Sequence, residues 1–338
     1  MVRGDLALSV FGRKLARGME PVGAERTHIL VLNYNGRALL SECLPSVAAA
    51  AARSPVPCAL SVVDNGSTDD SLAYLASAWP EINVLREPNR GLASFNSVLS
   101  KLDERIVLLL NSDVKLAPDA VEPLLSAFDT HDDLLFSAPQ CWTFDESLYE
   151  GMRTRVRTRF GLVQGLCRVP GHESFVGTPG LTASSGPVLA VDRQRFLELG
   201  GYDPLYFPGR IEDLDLGFRG WMAGWKGYYE PRSLAYHKGF GSFEPAFGRS
   251  GCDRLAARNS LIFAWKNLAG WRLATHLAWL PARLLRDLAL RRLDFGLALW
   301  EALGRLGQVR STRRALGVGS GGWVHRQEAF FRQFRWES

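Results

Sequence analysis

The stretch RIVLLLNSD, Arg105–Asp113, decides the fold. Ile106 to Leu110 is an unbroken aliphatic run, which is how a strand buried on both faces of a helix-covered parallel sheet reads. The run stops at Asn111-Ser112-Asp113, an amide, a hydroxyl and a carboxylate in succession. In an open parallel sheet, ligands bind beyond the carboxyl ends of the strands. The segment therefore reads as a rigid apolar arm with a polar payload at its tip.

Working outward, the same pattern recurs. HILVLNYN (28–35) is a short β-rich run, followed by a helical stretch over about 38–52. ALSVVDNGS (59–67) is a second strand, after which Asp69 and Asp70 open a helix whose Leu72, Leu75 and Trp79 share a face. INVLREP (82–88) is a third strand, and a helix over about 94–102 precedes the opening segment. Strands alternating with helices predict a mostly parallel sheet flanked on both faces.

Beyond about residue 130 the texture changes. Residues 140–182 read as irregular and rich in Arg and Gly, a length of loop that usually forms a lid or substrate surface. Within it, Arg153, Arg155, Arg157 and Arg159 recur at period two. They read equally as a cationic face for acceptor phosphates and as a solvated edge strand. GPVLAVDRQRFLELGG (186–201) predicts a strand and a short helix, and IEDLDLGFRGWMAGW (211–225) a helix with Leu214, Phe218, Trp221 and Trp225 on one face. GYYEP and SLAYHKG predict two further short strands, and residues 253–314 read as helical.

Composition sets limits. With 338 residues, 46% of them hydrophobic, the chain is long enough for one large α/β domain with an appendage. We expect a poorly ordered or weakly helical lead-in over 1–25, a main domain over 26–252 with halves at 26–130 and 131–252, and a helical region over 253–338. Net charge +5 suits an anionic substrate or membrane surface; we expect no nucleic-acid partner. Five scattered cysteines without a C-x-x-C pair read as free thiols. The most apolar segment, LIFAWKNLAGWRLATHLAWL (261–280), is broken by Lys266, Arg272 and His276, so we expect no membrane span. Arg outnumbers acidic residues nine to three between Arg272 and Arg314, a balance that fits a helix lying on anionic lipid, or one that packs or dimerises. A cytoplasmic protein, at most peripheral to the membrane, is the expectation.

Three polar strand ends, NYN, DNGSTDD and NSD, would converge on one rim. Strand one lacks the G-x-G-x-x-G of a dinucleotide fold, since NYNGRALL carries only Gly36. A carboxylate beside an amide and a hydroxyl suits a hard divalent cation that also holds diphosphate oxygens. Asp213 of IEDLDL stands at a helix start, where the helix dipole stabilises a carboxylate, ready to take a hydroxyl proton.

ILVLNYNG, VVDNGSTDDS, PNRGLASFN, VLLLNSDV, SSGPVLAVDRQRFLELGGYDPLYF, IEDLDLGFRGWMAGW and AYHKG resemble, in order, the successive motifs of family 2 inverting glycosyltransferases. The likeness is closest to rhamnosyltransferase-like members that build bacterial surface polysaccharides, and it covers roughly residues 27–270. The resemblance implies the GT-A fold, with a mixed, mostly parallel central sheet flanked by helices and a C-terminal helical appendage. It implies transfer of a sugar, with L-rhamnose favoured, from a nucleotide diphosphate to a hydroxyl of a glycan. It also implies Mg²⁺ or Mn²⁺ as cofactor. Asp64 would contact the donor base, with Asn33 and Tyr34 lining the base pocket and Asn65, Gly66 and Ser67 beside them. Asn89, Gly91 and Asn96 would shape the floor under the nucleotide. Asp113 would bind the metal, with Asn111 and Ser112 beside ribose or metal, and His237 matches a further metal ligand. Ser185, Gly186 and Glu212 would meet the donor sugar or acceptor, and Asp213 would be the catalytic base.

The first acid of the usual D-x-D is Asn111 here, so metal binding without substrate should be weak. The implied donor is dTDP-rhamnose, with UDP- or GDP-sugars as alternatives. The acceptor is a glycan or polyprenyl-diphosphate-linked glycan, and the C-terminal helices are a site for an anionic membrane or a second copy. The alternatives are a sugar-nucleotide nucleotidyltransferase, whose Gly-rich basic loop is missing after strand one, and a non-catalytic nucleotide-sugar or glycan-binding relative. A glycoside hydrolase would need two flanking carboxyls and would leave the nucleotide-type loops idle.

Overall fold

The computed structural model describes residues 26–239 and 243–336; the lead-in expected over 1–25 lies outside the described residues. The first half alternates as its sequence dictates. Strand β1 (Thr27–Asn33) leads to α1 (Arg37–Ala52), β2 (Cys58–Asp64) to α2 (Ser71–Ala78), and β3 (Asn83–Arg86) to α3 (Ser94–Leu99). Strand β4 (Ile106–Asn111) then enters the sheet, and Ile106 to Leu110 are all buried. β3, β2, β1 and β4 lie side by side and parallel. The register sets Asn33 opposite Asp64 and Leu32 opposite Asn111, so the polar tips end level.

Short β5 (Val114–Leu116) and α4 (Val121–Thr130) lead to β6 (Leu134–Thr143). Residues 140–182, expected to be irregular, contain ordered strands: β7 (Tyr149–Gly151), the hairpin β8 (Arg155–Arg159) and β9 (Leu162–Leu166), and β10 (Gly180–Thr182). The hairpin closes through Phe160 and Gly161, both at positive φ (48° and 78°), which matches the right-handed twist of the flanking strands. β11 (Val188–Asp192), α5 (Arg193–Glu198) and α6 (Glu212–Ala223) precede β12 (Lys226–His237). The two strands expected at GYYEP and SLAYHKG are thus one. Its register against β6 shifts between Glu230 and Leu234, which lets it run past Pro231.

Among the described residues the sheet runs β10-β12-β6-β11-β4-β1-β2-β3, with β5 on β12 and β7 on β6; β8 and β9 pair apart from it. β11 is antiparallel to both neighbours, so the sheet is mixed.

The C-terminal region is helical, as expected, and continues further than residue 314: α7 (Phe243–Asn267), α8 (Gly270–Ala289), α9 (Asp294–Leu303), α10 (Leu306–Ala315) and α11 (Gly321–Phe334). It shares a core with the sheet domain. Leu214, Phe218 and Met222 of α6 pack in one buried cluster with Leu261 and Phe263 of α7 and with Trp323, Phe330 and Phe334 of α11. Phe218 stands edge-on to Phe330 and Phe263 at centroid distances of 4.9 and 5.4 Å. This packing has no seam at residue 252. All five cysteines are free thiols.

Candidate active site

The level tips of β1 and β2 are tied to each other. Asn33 Nδ2 donates to Asp64 Oδ1 (3.2 Å) and to Ser67 Oγ (3.1 Å), and the Ser67 N–H donates to Asp64 Oδ2 (3.1 Å). Gly66, at φ 74°, makes the turn that brings Ser67 back onto Asp64. The Oδ1 atoms of Asn33 and Asn65 are buried without a partner, the kind of acceptor that a buried site rarely leaves idle. Tyr34, 46% exposed, stands at the rim.

The next loop leans across. Asn65 Nδ2 donates to the Gly91 carbonyl (3.1 Å), and the Gly91 N–H donates to Asn89 Oδ1 (3.1 Å). Gly91 has φ 59°, and a Cβ there would lie 2.7 Å from the Pro208 carbonyl oxygen, so only glycine fits. That contact brings the nucleotide-side loop against residues 207–209, and Arg90, Leu92 and Glu212 line the crevice between them. Asn96 is placed differently from a ligand-facing floor. Its amide spans the α5–α6 connection, donating to Gly200 O (3.3 Å) and Tyr202 O (2.8 Å) and accepting from Tyr202 N–H (2.9 Å).

At the tip of β4, Asn111 N–H donates to Pro187 O (3.0 Å) and Ser112 N–H to Leu32 O (3.1 Å). These bonds fix the tip between β1 and the Ser184–Pro187 loop. A Cβ on Gly36 would lie 2.5 Å from Asn33 Oδ1 and 3.2 Å from Ser112 Oγ, so two strand tips share one small space above Gly36.

Asp113 is buried, with its Oδ1 unpartnered. Its Oδ2 lies 3.4 Å from His237 Nε2 on β12, and His237 Nδ1 lies 3.3 Å from Glu150 Oε2 on β7. Burial works against the imidazolium, but the hydrogen bonds to Asp113 and Glu150 outweigh it and hold the His237 pKa up, at about 9. Glu150 was not found from the sequence. Its partner is 87 residues away, and no local pattern marks it.

The three acids that open α6 have three different surroundings. Arg210 and Ile211 immediately before them adopt positive φ (80° and 73°), and for a β-branched residue such backbone is strained. Asn259 of α7 braces that turn by donating to the carbonyls of Tyr206, Gly209 and Arg210 at 2.7–2.9 Å. Asp213 accepts a 2.5 Å hydrogen bond from Ser184 Oγ. Glu212 is desolvated and sits beside Asp213, and together these push its pKa up to about 8, with Oε2 unpartnered.

Asp215 points inward and is fully buried. It is met by Arg219 Nε at 2.6 Å, Lys266 Nζ at 2.8 Å, Tyr206 Oη at 2.8 Å and Asn267 Nδ2 at 2.7 Å. Burial alone would raise Asp215, yet Lys266 and Arg219 hold it well below the usual carboxylate range. Asp215 is thus the joint between α6 and the C-terminal helices.

Ser185 Oγ is buried and unpartnered, and Gly186, at φ 66°, turns the chain into β11. The Ser184–Pro187 loop therefore touches Asp213 at one end and Asn111 at the other. Across the crevice, Gly91 and Asn65 complete the circuit back to β2. The arginines of the β8 segment do not form a shared free face. Arg153 donates to Thr178 O (2.9 Å), Arg155 to Gln333 O (3.3 Å) and Arg157 to Gln164 Oε1 (3.0 Å). A surface hollow at the opposite, N-terminal ends of β1 and β4, lined by Arg26, Arg105 and Glu122, holds none of the expected site residues. Among the described residues no three His, Cys, Asp or Glu side chains are arranged to hold an ion by themselves. Asp113 with its free Oδ1, backed by His237, is the set that fits one shared with a substrate.

Residues 28–176 match the family model described as glycosyl transferase family 2. The chain is 27% identical over 274 residues to an N-acetylglucosaminyl-diphospho-decaprenol L-rhamnosyltransferase of Mycobacterium tuberculosis, with 72% of this chain and 85% of the relative covered. Among solved structures it resembles GalNAc-T7 with UDP, GalNAc and Mn²⁺ (TM-score 0.51, 20% identity, 64% of this chain), of which it spans 44% of the length. It also resembles a mannosyltransferase from Pyrobaculum calidifontis in complex with GDP-Man and Mn²⁺, at TM-score 0.50 and 17% identity, over 98% of this chain and 93% of that one. Residues 28–176 thus resemble glycosyl transferase family 2, and the chain has the GT-A fold of these glycosyltransferase structures.

Proposed function

We propose that this enzyme transfers a sugar, with inversion, from a nucleotide diphosphate donor to a hydroxyl of a lipid-linked glycan, and that L-rhamnose from dTDP-rhamnose is the favoured donor. UDP- and GDP-sugars are the alternatives. The observation that carries the reading is the closed circuit from Asp64 through Gly91, Glu212 and Asp213 to Ser184, Asn111 and Asp113. These contacts link Asn65 to Gly91, Gly91 to the crevice that Glu212 lines, Asp213 to Ser184, and Pro187 to Asn111 beside Asp113, which supports one shared site. The Mycobacterium tuberculosis relative, named for a diphospho-decaprenol substrate, supports a polyprenyl-diphosphate-linked acceptor.

In this reading Asn33, Asp64 and Ser67 hold the base and ribose of the donor, with Tyr34, Asn65 and Gly66 at the rim. Asn89, Gly91 and Ser112 form the surface under its diphosphate. Asp113 and His237 would hold Mg²⁺ or Mn²⁺, which when bound neutralises the departing diphosphate. Asp213 is the base. As the acceptor oxygen attacks the anomeric carbon and the bond to the diphosphate breaks, the acceptor proton passes to an Asp213 oxygen. Ser184, donating to Oδ2, leaves Oδ1 for that proton. Glu212, kept neutral near pH 7, is a hydrogen-bond donor toward the sugar rather than a second base. Ser185 and Gly186 shape the donor-sugar end.

Asp213→Asn tests the assignment. Transfer should fall about 10²–10⁴-fold, the usual contribution of a general base, while nucleotide binding measured by calorimetry stays unchanged. Wild-type turnover in that variant would remove Asp213 from the mechanism.

A further inference from the structure

The helices α8 and α9 are apolar on two faces: Leu273, Leu280 and Leu284 of α8 and Phe295, Ala298 and Ala302 of α9 pack inward, and a second apolar stripe faces out. An ordinary surface helix turns its apolar stripe to the core and its charges to water. On α8 three polar side chains also point inward. Arg272 Nε donates to Glu328 Oε1 (2.8 Å), His276 is buried with Nδ1 2.7 Å from Gly161 O, and Arg283 lies over the Phe295 ring at 4.8 Å.

The outward stripe carries Trp271, Leu277, Leu285 and Leu288, exposed by 58%, 49%, 67% and 62%. The pattern continues around the turn with Leu290 and Leu293 and along α9 with Leu297 and Trp300, the last 76% exposed. The residues at 293, 297 and 300 share one helical face. Contiguous apolar surface on this scale marks a docking site. Charged residues at the turn between the helices, Arg286, Arg291 and Arg292, are exposed beside the leucines.

We infer that this α8–α9 hairpin lies in the headgroup boundary of an anionic lipid bilayer. Charge complementarity selects the occupant. On the hairpin's exposed surface Arg286, Arg291 and Arg292 stand against a single exposed acid, Asp294, an excess that anionic headgroups match. A second copy would instead bring two net-positive faces together. Leucine and tryptophan outward, with arginine at the boundary, is the composition of a helix lying in the interface plane. No helix among the described residues is long and apolar enough to cross a bilayer, so this hairpin rests on the membrane rather than spanning it. The inference stands on the exposed faces and does not depend on which sugar is transferred or whether transfer occurs.

The test is flotation of the full chain with vesicles of phosphatidylcholine alone and of phosphatidylcholine mixed with phosphatidylglycerol, together with sedimentation velocity without lipid. The wild type should float with the mixed vesicles, and the double variant Leu285→Ser/Leu288→Ser should not. Arg291→Gln with Arg292→Gln should weaken partitioning on the order of 30-fold, two basic residues' worth. Because all four side chains are exposed, the variants should keep the wild-type melting temperature, which separates lost docking from lost folding. The inference is overturned if the wild type ignores mixed vesicles or the leucine variant floats equally well. It is also overturned if the protein is a dimer that the leucine substitutions dissociate while vesicle binding is absent.

Discussion

At the scale of single residues, IEDLDL is read by position rather than by composition. Asp213 accepts from Ser184, Asp215 faces inward onto Lys266, and Glu212 is desolvated beside Asp213. The raised Glu212 pKa makes a stability prediction. The folded state keeps this proton up to about pH 8 whereas an ordinary glutamate loses it near 4.5. Between those values the folded form therefore binds more protons than the unfolded one, and stability falls as pH rises. Urea midpoints of the wild type should drop relative to Glu212→Gln between pH 5 and 9, and parallel curves would contradict the assignment. Asp64, Asp113 and Asp213 were legible in the sequence because each ends a strand or opens a helix inside a recognisable motif. Glu150 was not, because only the pairing of β7 with β6 brings it to His237. The role of Asn96 was equally hidden, since its partners are backbone groups more than a hundred residues later.

At the scale of elements, apolar periodicity carried the first four strands and their helices, where burial on both faces writes itself directly into the sequence. It failed where a local signal contradicted the tertiary arrangement. Pro231 reads as the end of a strand, yet β12 passes it by shifting register against β6. The β8–β9 hairpin turns on Phe160-Gly161, and a phenylalanine at positive φ is not a residue that announces a tight turn. The joint between α6 and α7 has no local sequence signal, because Asp215, Arg219, Lys266 and Asp203 form one buried charge cluster only in the folded chain. Such clusters are costly to leave half-paired. Lys266→Met should therefore destabilise the protein by on the order of 3–5 kcal/mol, measured by urea unfolding, with the loss carried by the unpaired Asp215. A change within a few tenths of a kcal/mol would show that Arg219 alone compensates the carboxylate.

At the scale of the whole molecule, the C-terminal helices are part of the catalytic unit. They supply most of the buried cluster around Phe218, pair with Asp215 and brace the strained turn before Asp213 through Asn259. A chain ended at residue 252 leaves Leu214, Phe218 and Met222 without their partners, so it should show no cooperative thermal transition by circular dichroism; a sharp melt would restore an independent domain boundary there. The same helices present their outward faces to lipid in the reading above, which would place a carrier-linked acceptor beside the enzyme that modifies it. The central claim remains that strand-end oxygens and a helix-tip carboxylate close around one metal-held nucleotide sugar. Calorimetric titration of nucleoside diphosphate with and without Mn²⁺, into wild type and Asp113→Asn, tests it most directly. The account predicts that Mn²⁺ tightens binding to the wild type by about tenfold or more, some 1.4 kcal/mol, and that Asp113→Asn loses this increment while keeping the metal-independent affinity. An unchanged Mn²⁺ increment in Asp113→Asn, or no increment in the wild type, would contradict it.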